Sequence, residues 1–126
     1  MNDNLIQIMV LDDEEIVGKR LKTALEKSPY EVEIFQDSRL AINRIAEKEF
    51  DIVVTDVRMD EFSGMQVLER VLEKSDRTKV IIITGYATVE VAREALTRGA
   101  FDFIAKPFKP DDLRQVIAKA VKELQR

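Results

Sequence analysis

The chain of 126 residues contains no cysteine and no histidine. The lack of cysteine excludes disulfide bonds, thiolate nucleophiles and cysteine metal sites. The lack of histidine removes the commonest neutral metal ligand and general base. A metal-binding or catalytic site in this protein would therefore depend on carboxylates.

Long apolar runs and an excess of basic side chains are also missing. Residues 1–4 carry neither a basic segment nor a signal-like apolar stretch, and no run approaches the roughly 20 apolar residues that cross a bilayer. The 20 basic and 24 acidic side chains give a formal net charge of -4, which leaves no basic stripe for a phosphate backbone. We expect a cytoplasmic protein that binds neither membranes nor nucleic acids directly.

The apolar residues that are present fall into five runs of strand length, separated by segments with helical periodicity. The runs are Leu5–Leu11, Val32–Phe35, Ile52–Thr55, Val80–Thr84 and Phe101–Ile104. Several are apolar on both faces, as in the interior strands of a parallel sheet that helices cover on both sides. The pattern predicts five β/α units, folded as a doubly wound α/β sandwich around a five-stranded parallel sheet.

Glycine and proline residues mark the expected helix boundaries. They are Ser28-Pro29 after the first helix, Gly64 at the start of the third, Gly99 after the fourth and Pro110 at the start of the fifth. No linker, low-complexity tract or repeat interrupts the pattern, so we predict a single domain over residues 1–126 with a core at about 5–122. A longer parent protein that continues beyond Arg126 is equally compatible.

Polar residues follow four of the five predicted strands. Asp12 and Asp13 come after the first strand, Asp56 after the third, Thr84 ends the fourth, and Lys106 follows the fifth. Ligands of open α/β sheets bind beyond the carboxyl ends of the strands, so these side chains are candidates for one site. Three carboxylates there would repel each other unless a cation neutralised them, and magnesium commonly bridges carboxylates to a phosphoryl group. Lys106 and Thr84 would bind phosphoryl oxygens, and one carboxylate could act as the nucleophile.

In order and spacing, these residues resemble the signature of response-regulator receiver domains, the phosphoacceptor domains of two-component signalling. The likeness covers nearly the whole chain. The segments most similar to receivers of the nitrogen-regulation type are Asp56-Val57-Arg58-Met59, Thr84-Gly85-Tyr86-Ala87-Thr88 and Gly99–Phe108. The resemblance implies a flavodoxin-like receiver fold with strand order 2-1-3-4-5.

The resemblance also implies how the acidic residues act. Asp56 would be the phosphoacceptor. Asp12, Asp13, Asp56 and the backbone carbonyl of Arg58 would hold Mg²⁺, with Mn²⁺ as a substitute. The phosphoryl group would come from a sensor histidine kinase or a phosphotransfer protein. The chain would not be an enzyme beyond its own phosphorylation and autodephosphorylation.

The remaining matched residues would form a switch. Thr84 and Lys106 would bind the phosphoryl oxygens, and Phe103 would move inward or outward with Thr84. The Lys106–Pro107 peptide bond is expected to be cis. The fourth helix, fifth strand and fifth helix would form the output surface. A phosphorylation-linked homodimer through that surface, and an effector domain absent from this chain, are further expectations.

Three positions around the expected site are distinctive. Receivers commonly carry proline four residues after the phosphoacceptor, whereas this chain has Asp60, which makes the rim of the site more acidic. Arg58 and Tyr86 occupy the positions that flank the path of the hydrolytic water in this family. Because both side chains are large, we expect slower spontaneous loss of phosphate than in an Arg58→Asn, Tyr86→Ala variant.

Three other functions stay open. A magnesium-dependent phosphohydrolase usually needs a second Asp two residues after its nucleophile, where this chain has Arg58. A flavin binder of the same fold would need Ser, Thr and Gly donors after the first strand, where this chain has four acidic residues, 12–15. A phosphate-independent receiver-like interaction module would keep the fold without the chemistry.

Overall fold

The computed structural model of the protein describes residues 5–27, 29–57, 62–85 and 89–125. Strands and helices alternate along the chain. They are β1 (Ile6–Leu11), α1 (Glu15–Leu25), β2 (Tyr30–Phe35), α2 (Ser38–Glu47), β3 (Ile52–Asp56), α3 (Gly64–Lys74), β4 (Lys79–Thr84), α4 (Val89–Thr97), β5 (Asp102–Ala105) and α5 (Pro110–Leu124). The predicted α/β class with five β/α units is confirmed.

The five strands form one parallel sheet in the order β2-β1-β3-β4-β5. β1 lies between β2 and β3, so the chain winds outward from β1 in both directions. The order expected from the family resemblance is confirmed. Because all the strands are parallel, the carboxyl ends of β1, β3, β4 and β5 share one edge of the sheet.

Side chains alternate between two apolar layers, one on each face of the sheet. Met9 and Leu11 of β1 pack in the layer that contains buried residues of α2, α3 and α4. Ile8 and Val10 pack in the opposite layer, together with buried residues of α1 and α5. Each such Leu or Ile contributes about 1.5–3 kcal/mol through burial. Helices therefore cover both faces, which leaves the strand ends as the place where polar side chains can meet.

The helix boundaries follow local chemistry. Ser63 caps α3 in a reciprocal capping box with Gln66, and Gly64 is the first residue of the helix. Gly99 follows α4 with φ of +107°, a conformation that favours glycine, and Pro110 begins α5. The boundaries predicted at Gly64, Gly99 and Pro110 are confirmed. α1 ends at Leu25, and the expected stop at Ser28 lies outside the described residues.

Among the helices in the described ranges, none combines the length and the apolar character that a membrane span requires.

Candidate functional site

Three carboxylates meet at the carboxyl ends of β1 and β3. Asp12 and Asp13 follow β1, and Asp56 is the last residue of β3. One oxygen of each carboxylate lies within 4.8 Å of the others. Asp12 and Asp56 are buried, with 1% and 6% of their surface exposed, whereas Asp13 is exposed. The group therefore runs from the interior of the domain to its surface.

Hydrogen bonds to the main chain position the two buried aspartates, and one of these bonds also binds the Asp12 carboxylate. The amide of Asp12 donates to the carbonyl of Phe35 at 3.0 Å, and Asp12 Oδ1 accepts from the amide of Glu14 at 2.9 Å. The hydroxyl of Thr55 donates to the carbonyl of Asp56 at 3.0 Å. These bonds hold Asp12 directly after β1 and Asp56 at the end of β3, the central strand.

Lys106 brings a positive charge into the acidic group. Its Nζ lies 2.7 Å from Asp56 Oδ2, 2.9 Å from Asp12 Oδ2 and 3.0 Å from Glu14 Oε1. The amide of Lys106 donates to the carbonyl of Thr84 at 2.8 Å, which extends the pairing of β4 with β5 and fixes the root of the side chain. Burial disfavours the charged form of Lys106, but the neighbouring carboxylates outweigh this effect and raise its pKa. The neighbouring carboxylates therefore favour the charged ammonium form of Lys106.

The charge and the hydrogen-bonding capacity of the Asp12 carboxylate are only partly compensated by its neighbours. Burial raises its pKa, and the Lys106 ammonium and the Glu14 amide only partly offset this effect. Asp12 Oδ2 is buried and makes no aligned hydrogen bond, although Lys106 Nζ lies 2.9 Å away. The contact is an ion pair outside hydrogen-bond geometry, so this buried oxygen has charge compensation but no hydrogen-bond partner.

The donor set fits a hard divalent cation. It offers three carboxylates, one of which has a buried oxygen without an aligned hydrogen bond. Magnesium is bound by such oxygen-only sets and keeps part of its water shell. Asp12, Asp13 and Asp56 would hold it. Arg58, which was expected to add a backbone carbonyl, lies outside the described residues.

The predicted switch residues lie on β4, β5 and the loop that follows β5. Thr84 ends β4, is fully buried and pairs with Ala105. Phe103 pairs with Ile82 and is half-buried against the layer of α2, α3 and α4. The Lys106–Pro107 peptide bond is cis. Tyr86 and Asp60 lie outside the described residues.

Two residues next to the site were not predicted from the sequence. Glu14 is the third carboxylate on Lys106; the sequence shows it in the acidic run after β1, but only Asp12 and Asp13 were assigned a role there. Gly64 packs directly on the backbone of β3, and its amide donates to the carbonyl of Val57 at 2.8 Å. A Cβ at position 64 would overlap the carbonyl oxygen of Asp56. The glycine at the start of α3, eight residues after the strand-end Asp56, is the sequence feature that could have indicated this contact.

The doubly wound sheet and its polar edge define a receiver-type α/β domain. Residues 8–118 match the family described as the response regulator receiver domain. This match covers most of the chain, so the chain belongs to the response regulator receiver domain family.

Curated relatives are longer than this chain. AtoC of Escherichia coli (strain K12) is 37% identical over 115 residues, which cover 91% of this chain and 25% of AtoC. FixJ of Bradyrhizobium diazoefficiens is 31% identical over 118 residues, which cover 94% of this chain and 58% of FixJ. The chain therefore spans about a quarter of AtoC and less than two thirds of FixJ.

Solved structures match the whole domain. The crystal structure of a CheY-like receiver domain from Methanospirillum hungatei JF-1 superposes with a TM-score of 0.92 at 30% identity, covering 97% of this chain and 98% of that one. The solution structure of the beryllofluoride-activated NtrC4 receiver domain dimer gives a TM-score of 0.88 at 31% identity, covering 98% and 99%. With AtoC, the NtrC4 match confirms the expected similarity to receivers of the nitrogen-regulation type.

Proposed function

We propose that this chain is a phosphoacceptor receiver that takes a phosphoryl group on Asp56 in a magnesium-dependent reaction. The observation that carries the proposal is the contact of 2.7 Å between Lys106 Nζ and Asp56 Oδ2, beside two further carboxylates. A structural ion pair needs only one carboxylate. This lysine faces an acidic group of several carboxylates, and its single positive charge neutralises only part of their negative charge. Phosphoryl transfer depends mainly on such positioning and charge compensation.

The proposed reaction is an in-line displacement at phosphorus. A carboxylate oxygen of Asp56 attacks the phosphorus of a phosphohistidine on the partner, the P–N bond breaks, and the imidazole leaves with its electron pair. The product is an acyl phosphate on Asp56. Lys106 faces one phosphoryl oxygen and the Thr84 hydroxyl donates to another. When bound by Asp12, Asp13 and Asp56, magnesium would neutralise the carboxylates and the phosphoryl charge.

The proposed output is a change in the surface formed by α4, β5 and α5. Thr84 is buried at the end of β4, so movement of its hydroxyl toward a phosphoryl group would open space that Phe103 can enter from β5. α4 carries exposed apolar side chains, with Val89 66% and Leu96 50% exposed. Such side chains suit a surface that binds a second copy or an effector domain. The activated NtrC4 receiver, a dimer, supports the homodimer as one outcome.

The proposed partners are a sensor histidine kinase or phosphotransfer protein as donor, and an effector domain in a longer parent protein. The relatives AtoC and FixJ, which extend well beyond the matched region, support the latter. The chain itself would not be an enzyme toward other substrates, since it acts on one carboxylate of its own. A receiver-like module without phosphate chemistry is the main alternative.

Intact mass spectrometry after incubation with acetyl phosphate tests the proposal. The expected result is one added phosphoryl group that requires magnesium, disappears with a chelator and is absent from Asp56→Asn. Asp76→Asn is a matched control, because Asp76 is an exposed carboxylate between α3 and β4, at the opposite edge of the sheet. Absence of an adduct in the folded, magnesium-loaded protein would overturn the proposal in favour of the phosphate-independent module.

A further inference from the structure

Glu14 is a carboxylate beside the site that the proposed mechanism leaves unused. It is the N-cap residue of α1, yet its side chain makes no cap hydrogen bond. Instead, Glu14 Oε1 lies 3.0 Å from Nζ of Lys106, which is 92 residues further along the chain. The Glu14 amide donates a hydrogen bond to Asp12 Oδ1. This bond fixes the backbone of Glu14 beside the acidic group.

The three carboxylates around Lys106 differ in how easily they can release it. An ammonium has three hydrogen-bond donors, and here three carboxylates surround it at 2.7–3.0 Å. Asp56 is the proposed acceptor, and Asp12 is buried. The Glu14 side chain is 61% exposed, so water can replace Lys106 as its partner at little cost. Glu14 is therefore the group that Lys106 can exchange for an incoming phosphoryl oxygen.

The negative charge of Glu14 also affects the approach of the phosphodonor. The carboxylate lies at the exposed rim, next to an apolar groove of about 460 Å³ between α1 and the loop after β5. Because the Glu14 side chain is 61% exposed and that of Lys106 only 18%, a dianionic phosphodonor would face this negative charge as it approaches Lys106. At contact distances in water, one such repulsion changes a rate by about three- to tenfold, and salt screens it.

Resting on the proposed phosphoacceptor function, we propose that Glu14 competes with the phosphoryl group for Lys106 and slows phosphorylation by dianionic small-molecule donors. It is a specificity-determining residue that discriminates donors by charge. The reaction with acetyl phosphate forms the P–O bond to Asp56 and breaks the P–O bond to the acetyl group, which leaves as acetate. With phosphoramidate, the P–N bond breaks, and the nitrogen leaves as ammonia with the proton that it carries in the donor.

The test compares Glu14→Gln with the unmodified protein and with Glu15→Gln. Glu15 supplies the matched control, because it is an exposed carboxylate at the next position that pairs with Lys19 instead of Lys106. Phosphorylation rates are measured by intact mass with acetyl phosphate and with phosphoramidate, at low and high salt. We expect Glu14→Gln to react about three- to tenfold faster with acetyl phosphate at low salt. The gain should be smaller with the less charged phosphoramidate and should shrink in high salt.

A second readout needs neither metal nor donor. In the metal-free protein, the Lys106 ammonium signal in ¹H–¹⁵N NMR should exchange faster with water in Glu14→Gln than in Glu15→Gln. Equal rates for the two variants with acetyl phosphate, or the same gain with both donors, would overturn the role of Glu14 while leaving the phosphoacceptor function intact. Absence of any adduct in all three proteins would overturn the phosphoacceptor function itself.

Discussion

Gly64, the first residue of α3, lies so close to Asp56 that a Cβ at position 64 would overlap the Asp56 carbonyl oxygen. The same Cβ would lie 2.9 Å from the carbonyl carbon of Asp56 and from Cα of Val57. All three neighbours are backbone atoms, which move away less readily than the end of a flexible side chain. The first residue of α3 thus packs directly against the backbone of the candidate phosphoacceptor.

Gly64→Ala should therefore lower the free energy of unfolding by about 1–3 kcal/mol, the usual cost of overpacking a tight site. Chemical denaturation measures it. Gly18→Ala is the control, since a Cβ there would meet Ile34 at 3.7 Å, an ordinary contact, in the interior of α1. This control should be neutral or stabilising by up to about 1 kcal/mol. Equal stability of the two variants would contradict the close approach.

Lys106→Met should destabilise the metal-free protein by about 1–3 kcal/mol, because Asp12 and Asp56 lose the ammonium that compensates their charge. Added magnesium should then raise the melting temperature of this variant more than that of the unmodified protein, since the cation replaces the lost charge. Thermal unfolding with and without magnesium is the measurement. Lys119→Met, at an exposed position of α5, serves as the control. A magnesium-induced shift no larger in Lys106→Met than in the control would argue against a shared site.

Glu33 of β2 carries a pH-dependent contribution to stability. Arg44 binds both of its oxygens, at 2.8 and 3.0 Å, and Lys48 binds one at 2.9 Å. The hydrogen bond from Arg44 is the main reason that the pKa of Glu33 falls from 4.5 to about 2. A depressed pKa stabilises the folded state above pH 4.5, and this stabilisation is lost as the pH falls from 4.5 toward 2.

Glu33→Gln should accordingly cost about 1 kcal/mol at neutral pH, a value that allows for solvent screening of a partly exposed group. The difference between the variant and the unmodified protein should close between pH 4.5 and 2 in urea denaturation series. Glu31→Gln, which loses only a 3.9 Å contact with Lys48, should cost less than about 0.5 kcal/mol. A gap for Glu33→Gln that stays constant down to pH 2 would rule out this linkage.

Thr84→Ala should separate binding of a phosphoryl group from the response of the surface. With magnesium and beryllofluoride, amide NMR signals of α4 and β5 should shift in the unmodified protein, because the hydroxyl of Thr84 is drawn to the bound group. The alanine variant should still bind, as judged by shifts around Asp56, but should show at most half the shift at Ala95 and Leu96. Thr84→Ser should restore the response. Full shifts in the alanine variant would mean that the signal does not pass through Thr84.

The fold could be predicted from the sequence because local pattern and tertiary position agree. The apolar runs at β3 and β4 are buried on both faces, and their observed limits differ from the predicted ones by one residue. The run at β2 was predicted only from Val32, whereas the strand begins at Tyr30, because Tyr30 and Glu31 pair with Ile6 and Gln7 of β1. Residues that join a strand only through pairing with its neighbour need not follow an apolar pattern, so the sequence of that strand alone does not reveal them.

The acidic group and Lys106 could also be predicted, because the carboxyl ends of parallel strands lie at the same edge of the sheet for any conformation of the loops. What could not be predicted depends on distances between elements. The contact of Glu14 with Lys106 joins α1 to the loop after β5, and neither segment indicates the other. The fit of Gly64 on Asp56 likewise depends on the approach of α3 to β3, which the spacing in sequence does not define.

Locating the phosphoryl group in the chain tests the phosphoacceptor role of Asp56 most directly. The protein is incubated with acetyl phosphate and magnesium, the acyl phosphate is reduced with borohydride to homoserine, and peptides are sequenced by tandem mass spectrometry. We expect homoserine at position 56 alone, with none in a chelator-treated sample. Homoserine at position 12 or 13, or none in folded protein loaded with magnesium, would contradict this role.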